Sequence, residues 1–162
     1  MTSNMIIVGM ADLNVTKAPG ALTTLGLGSC VGIALYDANT KVAGLAHIML
    51  PDSTQMQNNS NIAKFADTAL VKLIDDMSRM GARRDSLKAK IAGGAQMFAF
   101  NSTNESMRIG DRNVEATLRL LKQYNIPLLG RDTGDNYGRT VELYADDGHF
   151  LIKTIGHGNR TL

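Results

Sequence analysis

Between residues 21 and 50 three short apolar runs follow one another with no space for a helix between them, and this succession constrains the fold more than any other feature. They are 21–25, then Val31-Gly32-Ile33-Ala34-Leu35-Tyr36, then Val42-Ala43-Gly44-Leu45-Ala46-His47-Ile48-Met49-Leu50. Each is short, apolar and bounded by turn residues, as a strand packed on both faces is. Further strands are expected at 5–9, buried on both faces or nearly so, at 87–92, and at 126–130. Val141-Glu142-Leu143-Tyr144 and Phe150-Leu151-Ile152-Lys153 form a hairpin across the Asp147-Gly148 turn signal. The stretch 97–100 is apolar without a clear period, and 156–162 reads as a frayed tail.

Two segments carry a helical period instead. Ile62, Phe65, Ala66, Ala69, Leu70, Leu73, Met77 and Met80 recur at three- and four-residue spacings with Lys64, Asp67, Lys72 and Asp76 between them, and Gly81 is placed to close the helix. A second helix, capped by Asp111, would turn Val114, Leu118, Leu121 and Tyr124 inward and end before Pro127. Strands that outnumber helices and succeed one another directly favour an α+β layered domain over a doubly wound parallel sheet. No linker divides the chain, so residues 1–162 are expected to form a single domain, a length sufficient to bury a core without staples.

Composition narrows the function. Seventeen Lys and Arg against fifteen Asp and Glu leave a net charge of +2 with no basic block, and the chain has no Trp, so nucleic acid is not an expected partner. The start, Met1-Thr2-Ser3-Asn4, is no signal peptide and no run is long enough to span a membrane, which points to a soluble, cytoplasmic protein. One cysteine in 162 residues cannot form an internal disulfide. Nucleotide binding is weakly supported: Gly26-Leu27-Gly28-Ser29-Cys30-Val31 has Val where a dinucleotide fingerprint requires its third glycine, and no phosphate-loop Gly-Lys-Ser/Thr occurs. His149 and His157 have no ligand spacing and read as solvated histidines, so neither a metal nor a cofactor is called for.

The remaining chemistry is a thiol and an imidazole. Cys30 ends the glycine-spaced turn Thr24-Leu25-Gly26-Leu27-Gly28-Ser29-Cys30, a conformation that glycine permits and that can present a nucleophile. It is equally the kind of small residue that cores bury. His47 is the one polar residue in its apolar run, either a core histidine satisfied by a carbonyl or the base that a thiol nucleophile needs. Adjacent strands could bring the two together at one end of a sheet, with Thr23 or Thr24 supplying a hydroxyl to orient the imidazole.

Those residues carry a family resemblance. Thr24-Leu25-Gly26-Leu27-Gly28-Ser29-Cys30-Val31, Gly44-Leu45-Ala46-His47-Ile48-Met49-Leu50-Pro51, Lys90-Ile91-Ala92-Gly93-Gly94-Ala95-Gln96-Met97-Phe98, Ile109-Gly110-Asp111-Arg112-Asn113 and Asp132-Thr133-Gly134 resemble, in order and over nearly the whole chain, the chemoreceptor glutamine deamidases of the CheD family. Asp135 departs from the pattern, standing where members often have a second glycine. The resemblance implies a central β-sandwich of mixed sheets flanked by helices, similar to bacterial toxin glutamine deamidases. It implies conversion of receptor glutamines to glutamate in bacterial chemotaxis, with Cys30 as nucleophile, His47 as its proton partner and Thr24 as orienting group. Attack by the Cys30 thiolate would give a thioester, with Gly28 and Ser29 in the turn that faces the oxyanion, and receptor glutamate methyl esters could be hydrolysed by the same route. The partners it implies are the cytoplasmic helices of methyl-accepting receptors and a CheC-type phosphatase. The rival function is a non-enzymatic adaptor that binds such proteins through the same pocket.

Overall fold

The computed structural model describes residues 5–97 and 108–162. Among them are ten strands and two α-helices: β1 (Met5–Ile7), β2 (Asp12–Lys17), β3 (Ala21–Leu27), β4 (Val31–Asp37), β5 (Val42–Ile48), α1 (Ala66–Arg79), β6 (Leu87–Gly93), α2 (Ile109–Gln123), β7 (Leu128–Thr133), β8 (Arg139–Tyr144), β9 (Phe150–Lys153) and β10 (Asn159–Thr161). They build two mixed five-stranded sheets, ordered β1-β3-β8-β9-β10 and β2-β5-β4-β6-β7. The α+β class expected from the sequence is what is found.

The second sheet is the middle layer, and the two-residue period of its strands decides what each face meets. Val31, Ile33 and Leu35 of β4, Val42, Ala46 and Ile48 of β5, and Leu87, Ala89 and Ile91 of β6 share one core with the inward residues of α1 and α2. Ala34 of β4, Ala43 and Leu45 of β5 and Ala92 of β6 share the other core with Leu22, Leu27, Val141, Leu143, Phe150 and Ile152 of the first sheet. The helices and the first sheet thus lie on opposite faces of one sheet. β5 is buried at all seven positions, which explains why its sequence is a continuous apolar run and not an alternation.

Several details differ from the sequence expectation. The first strand is three residues long and lies at a sheet edge with Ile7 largely exposed, so it is not buried on both faces. β2 was not anticipated, although Asp12-Leu13-Asn14-Val15-Thr16-Lys17 alternates and packs Leu13 and Val15 against the helix-side core. The first helix begins at Ala66, after a separate 3-10 turn at Ile62–Lys64. Asp111 lies in the first turn of α2 and not at its cap, which is Arg108. The buried stripe of α2 is Asn113, Val114, Ala116, Thr117, Leu120 and Leu121, with Leu118 and Tyr124 only partly buried. The tail is not frayed: β10 pairs with β9, and Leu162 exchanges both backbone hydrogen bonds with Phe150. Met1-Thr2-Ser3-Asn4 and the apolar residues 98–100 lie outside the described residues. Among the described residues no helix is long and apolar enough to cross a membrane.

Gly44 marks where α1 comes closest to the sheet. A Cβ there would lie 2.8 Å from Leu73 Cδ1 and 2.8 Å from Met77 Sδ. Gly44→Val should therefore force α1 outward and cost about 1–3 kcal/mol, the usual range for overpacking. A thermal melt indistinguishable from the parent's would contradict this packing.

Candidate active site

Strand alternation puts the thiol and the imidazole in one place. Gly32 of β4 pairs directly with His47 of β5, and Cys30, two residues before Gly32, shares its face. That face is the inter-sheet layer, where Cys30 packs with Leu27 and Val141. Cys30 immediately precedes the first pair of the β4–β5 ladder, Val31 with Ile48, and so lies at the His47 end of the two strands. Gly32, between them, presents no side chain, and a Cβ there would come within 3.0 Å of Leu27 Cδ1. His47 is 1% exposed and Cys30 7%, so access is by way of the thiol.

Thr24 reaches the imidazole from the opposite sheet. Its Oγ1 lies 2.7 Å from His47 Nδ1 and 2.7 Å from the carbonyl oxygen of Val8. A hydroxyl has one proton, and a carbonyl can only accept, so the Thr24 proton goes to Val8. Thr24 Oγ1 must then accept from Nδ1–H. This fixes the tautomer and leaves the lone pair on Nε2, which is buried and has no hydrogen-bond partner. The free lone pair thus belongs to the ring nitrogen remote from Thr24, and Cys30 does not bond it in this arrangement. Thr23, the other candidate hydroxyl, donates to Val141 O instead.

The turn before Cys30 is polarised. Ala95 N–H donates to Gly28 O (2.8 Å), Gly94 N–H to Cys30 O (2.8 Å) and Asn113 Nδ2 to Ser29 O (2.9 Å). Among the described residues the N–H groups of Gly28, Ser29 and Cys30 have no backbone carbonyl or side-chain oxygen as acceptor. Of the two glycines only Gly26 adopts a left-handed conformation, with φ of 69°. The loop 132–139 supports the same end: the buried Arg139 donates to Asp132 Oδ1 (2.8 Å) and Gly134 O (3.0 Å), and Gly134 N–H donates to Gly93 O. Asp135, with φ of 57°, accepts Gln96 N–H at its carbonyl, so the departure from the family pattern is accommodated. The segment after His47 is tied down as well, with Ser53 N–H and Oγ both donating to Asp67 and Asn61 Nδ2 to Ala11 O.

Burial sets the protonation states. It pushes the Cys30 thiol up, partly offset by the hydrogen bond from its own N–H, and it pushes the His47 imidazole down. Both directions disfavour the charged form, because a low-polarity surrounding opposes either charge. His149 and His157 lie elsewhere, stacked on Tyr144 and Tyr137.

Fold and site together define an α+β sandwich that gathers a thiol, an imidazole and a hydroxyl at one end of its inter-sheet layer. A family model described as CheD chemotactic sensory transduction matches residues 49–154. "Probable chemoreceptor glutamine deamidase CheD" of Lachnoclostridium phytofermentans is 59% identical over 152 residues, 94% of each chain. The protein of the same name from Caldanaerobacter subterraneus is 57% identical over 158 residues, 98% of each chain. "Chemoreceptor glutamine deamidase CheD" of Halalkalibacterium halodurans is 50% identical over 161 residues, 99% of each. The chain belongs to the CheD family. A solved structure, the Bacillus licheniformis hypothetical protein YfiH, aligns with a TM-score of 0.48 at 15% identity over 75% of this chain and 50% of that one, a likeness too weak to build on.

Asn113 is the residue whose role the sequence reading missed. The signal was an amide on the inward stripe of an amphipathic helix, where an unpaired polar side chain is costly.

The neutral resting pair is testable by ultraviolet titration of the Cys30 thiolate against Cys30→Ala. Absorbance should rise only above the ordinary thiol range of about 8.5, and a thiolate already formed at pH 6.5 would refute the assignment.

Proposed function

We propose that this protein is a chemoreceptor glutamine deamidase, a single domain over residues 1–162 that converts receptor glutamine side chains to glutamate with Cys30, His47 and Thr24. The observation that carries this reading is the Val8–Thr24–His47 relay, which leaves an imidazole lone pair free on the face that holds the only thiol. The names and identities of the relatives support the substrate class. On this reading the protein works in the cytoplasm, without a cofactor, and shares its architecture with bacterial toxin glutamine deamidases.

The steps follow from the protonation states. His47 Nε2 takes the thiol proton as Cys30 Sγ attacks the carboxamide carbon, so the thiolate exists only as the bond forms. Negative charge moves to the amide oxygen, and the N–H groups of Gly28 and Ser29 in the turn are the donors for it. The His47 imidazolium then protonates the departing nitrogen, ammonia leaves, and a thioester remains. A water molecule gives its proton to Nε2 and attacks the thioester. Sγ departs, recovers the proton from the imidazolium, and glutamate is released.

Exposed apolar side chains lie near the turn that carries Cys30. Leu25, next to Thr24, is 61% exposed, and Met97, whose side chain lies over Gly28, is 44% exposed. Met97, exposed over the Gly28 turn, offers an adaptable apolar contact for an amphipathic helix, whereas Leu25 alternates with Thr24 and lies on the outer face of β3. Receptor cytoplasmic helices are the partner this favours, and a CheC-type phosphatase is the second partner of the reading.

Mass spectrometry of a receptor cytoplasmic fragment incubated with the protein should show a gain of about 1 Da at a glutamine, the signature of amide-to-acid conversion. Cys30→Ala should abolish the gain while remaining folded, and an active folded Cys30→Ala protein would end the proposal. Activity requires neutral His47, whose value lies below the ordinary 6.5 or so. The rate should therefore stay above half its maximum at pH 6.5 and fall only as the pH drops further. A rate already halved above pH 7 would identify a different base.

A further inference from the structure

We propose that Asn113 is a positioning residue that sets the approach of Cys30 to His47, a role that rests on the catalytic pair assigned above. The β4–β5 ladder ends at the pair Val31 and Ile48. Cys30 lies one residue beyond it on one strand, and Met49 one residue beyond it on the other. No ladder hydrogen bond is available there to keep the nucleophile's turn and the histidine's strand together.

A single nitrogen supplies the missing tie. Asn113 Nδ2 donates to Ser29 O at 2.9 Å and to Met49 O at 2.9 Å. Ser29 immediately precedes Cys30, and Met49 is two residues after His47. Both acceptors are carbonyls, which fixes the amide orientation, because an oxygen facing two oxygens would be repelled. The residue is fully buried, and among the described residues its Oδ1 has no partner. A buried amide oxygen left unpaired is unfavourable, so what the position gains comes from the two N–H bonds. The other holds on the turn, Ala95 on Gly28 and Gly94 on Cys30, do not reach the histidine strand. Asn113 alone among these donors touches both sides. Its helix is seated against the same segment, since a Cβ on Gly110 would lie 2.5 Å from Ala95 O.

The test reads the part of Cys30 reactivity that depends on His47. Iodoacetamide alkylation at pH 7 is measured for the parent, His47→Ala, Asn113→Ser and the double variant, with melting temperatures for each. General-base assistance should make the parent faster than His47→Ala by on the order of 100-fold. A serine hydroxyl has one proton and cannot bridge two carbonyls, so Asn113→Ser should lose about tenfold of that advantage. In the His47→Ala background the same substitution should change the rate little, because there is no pair to align. Thr117→Val is the control for lost stability: Thr117 Oγ1 donates to Asn113 O within α2, and its removal should lower the melting temperature while leaving the alkylation rate near the parent's. If Asn113→Ser melts near the assay temperature, the series is run in the cold with Asn113→Thr added, whose hydroxyl is also limited to one acceptor. A parental rate in a folded Asn113→Ser or Asn113→Thr protein would overturn the proposal, as would an equal loss in the His47→Ala background. If His47→Ala itself alkylates at the parental rate, the pair is wrong and this role falls with it. Failure of the receptor fragment to be deamidated, with the alkylation cycle intact, would remove the substrate assignment and leave the positioning role standing.

Discussion

Everything about the site depends on β4 and β5 being covered on both faces. A sheet with one wet face can leave a histidine in water, where it titrates as an ordinary surface group. Here the helix layer occupies one face and the first sheet the other, so a polar side chain on either strand must find its partner inside the protein. Among the described residues the one partner that reaches His47 is the Thr24 hydroxyl from the facing sheet. That hydrogen bond joins the two layers and specifies the imidazole tautomer, and the inter-sheet packing that makes it necessary also makes it dry.

The same dryness gives the pair its character. A thiol and an imidazole in water near neutral pH share a proton readily, but burial opposes charge on each of them here. Neither Thr24 nor the turn supplies a net charge to offset that effect. What the turn supplies is fixed dipoles: its three carbonyls are held by Ala95, Asn113 and Gly94. Oriented dipoles of this kind favour negative charge on a bound group without placing a full cation next to the thiol.

Much of this was legible in the residues. The continuous apolar character of β5 and the Gly26–Cys30 turn pointed to the strands and to the thiol–imidazole pair, because close packing on both faces leaves a direct mark on composition. β2 also left a mark, alternation over six residues, but one that is weaker when its outward side is Asp, Asn and Thr. The frayed tail was misread because Asn159, Arg160 and Thr161 are all exposed, and a strand held by backbone pairing alone has no side-chain signature. Thr24 could be named but not distinguished from Thr23 by spacing, since the choice depends on which of two adjacent hydroxyls faces the other sheet. Asn113 left a signal as a polar residue on the inward stripe of α2, but its partners could not be read from it, since they are carbonyl oxygens and every residue has one.

A protonated thiol has a further property. Peroxides and similar oxidants react with thiolates far faster than with thiols, and they must also reach the sulfur, which in Cys30 is buried. Burial that disfavours the thiolate therefore also disfavours its oxidation, in a sequence with no second cysteine to rescue an oxidised one. In a cell exposed to shifting oxidant levels, the working life of this site would be set as much by its resting protonation state as by the stability of its fold.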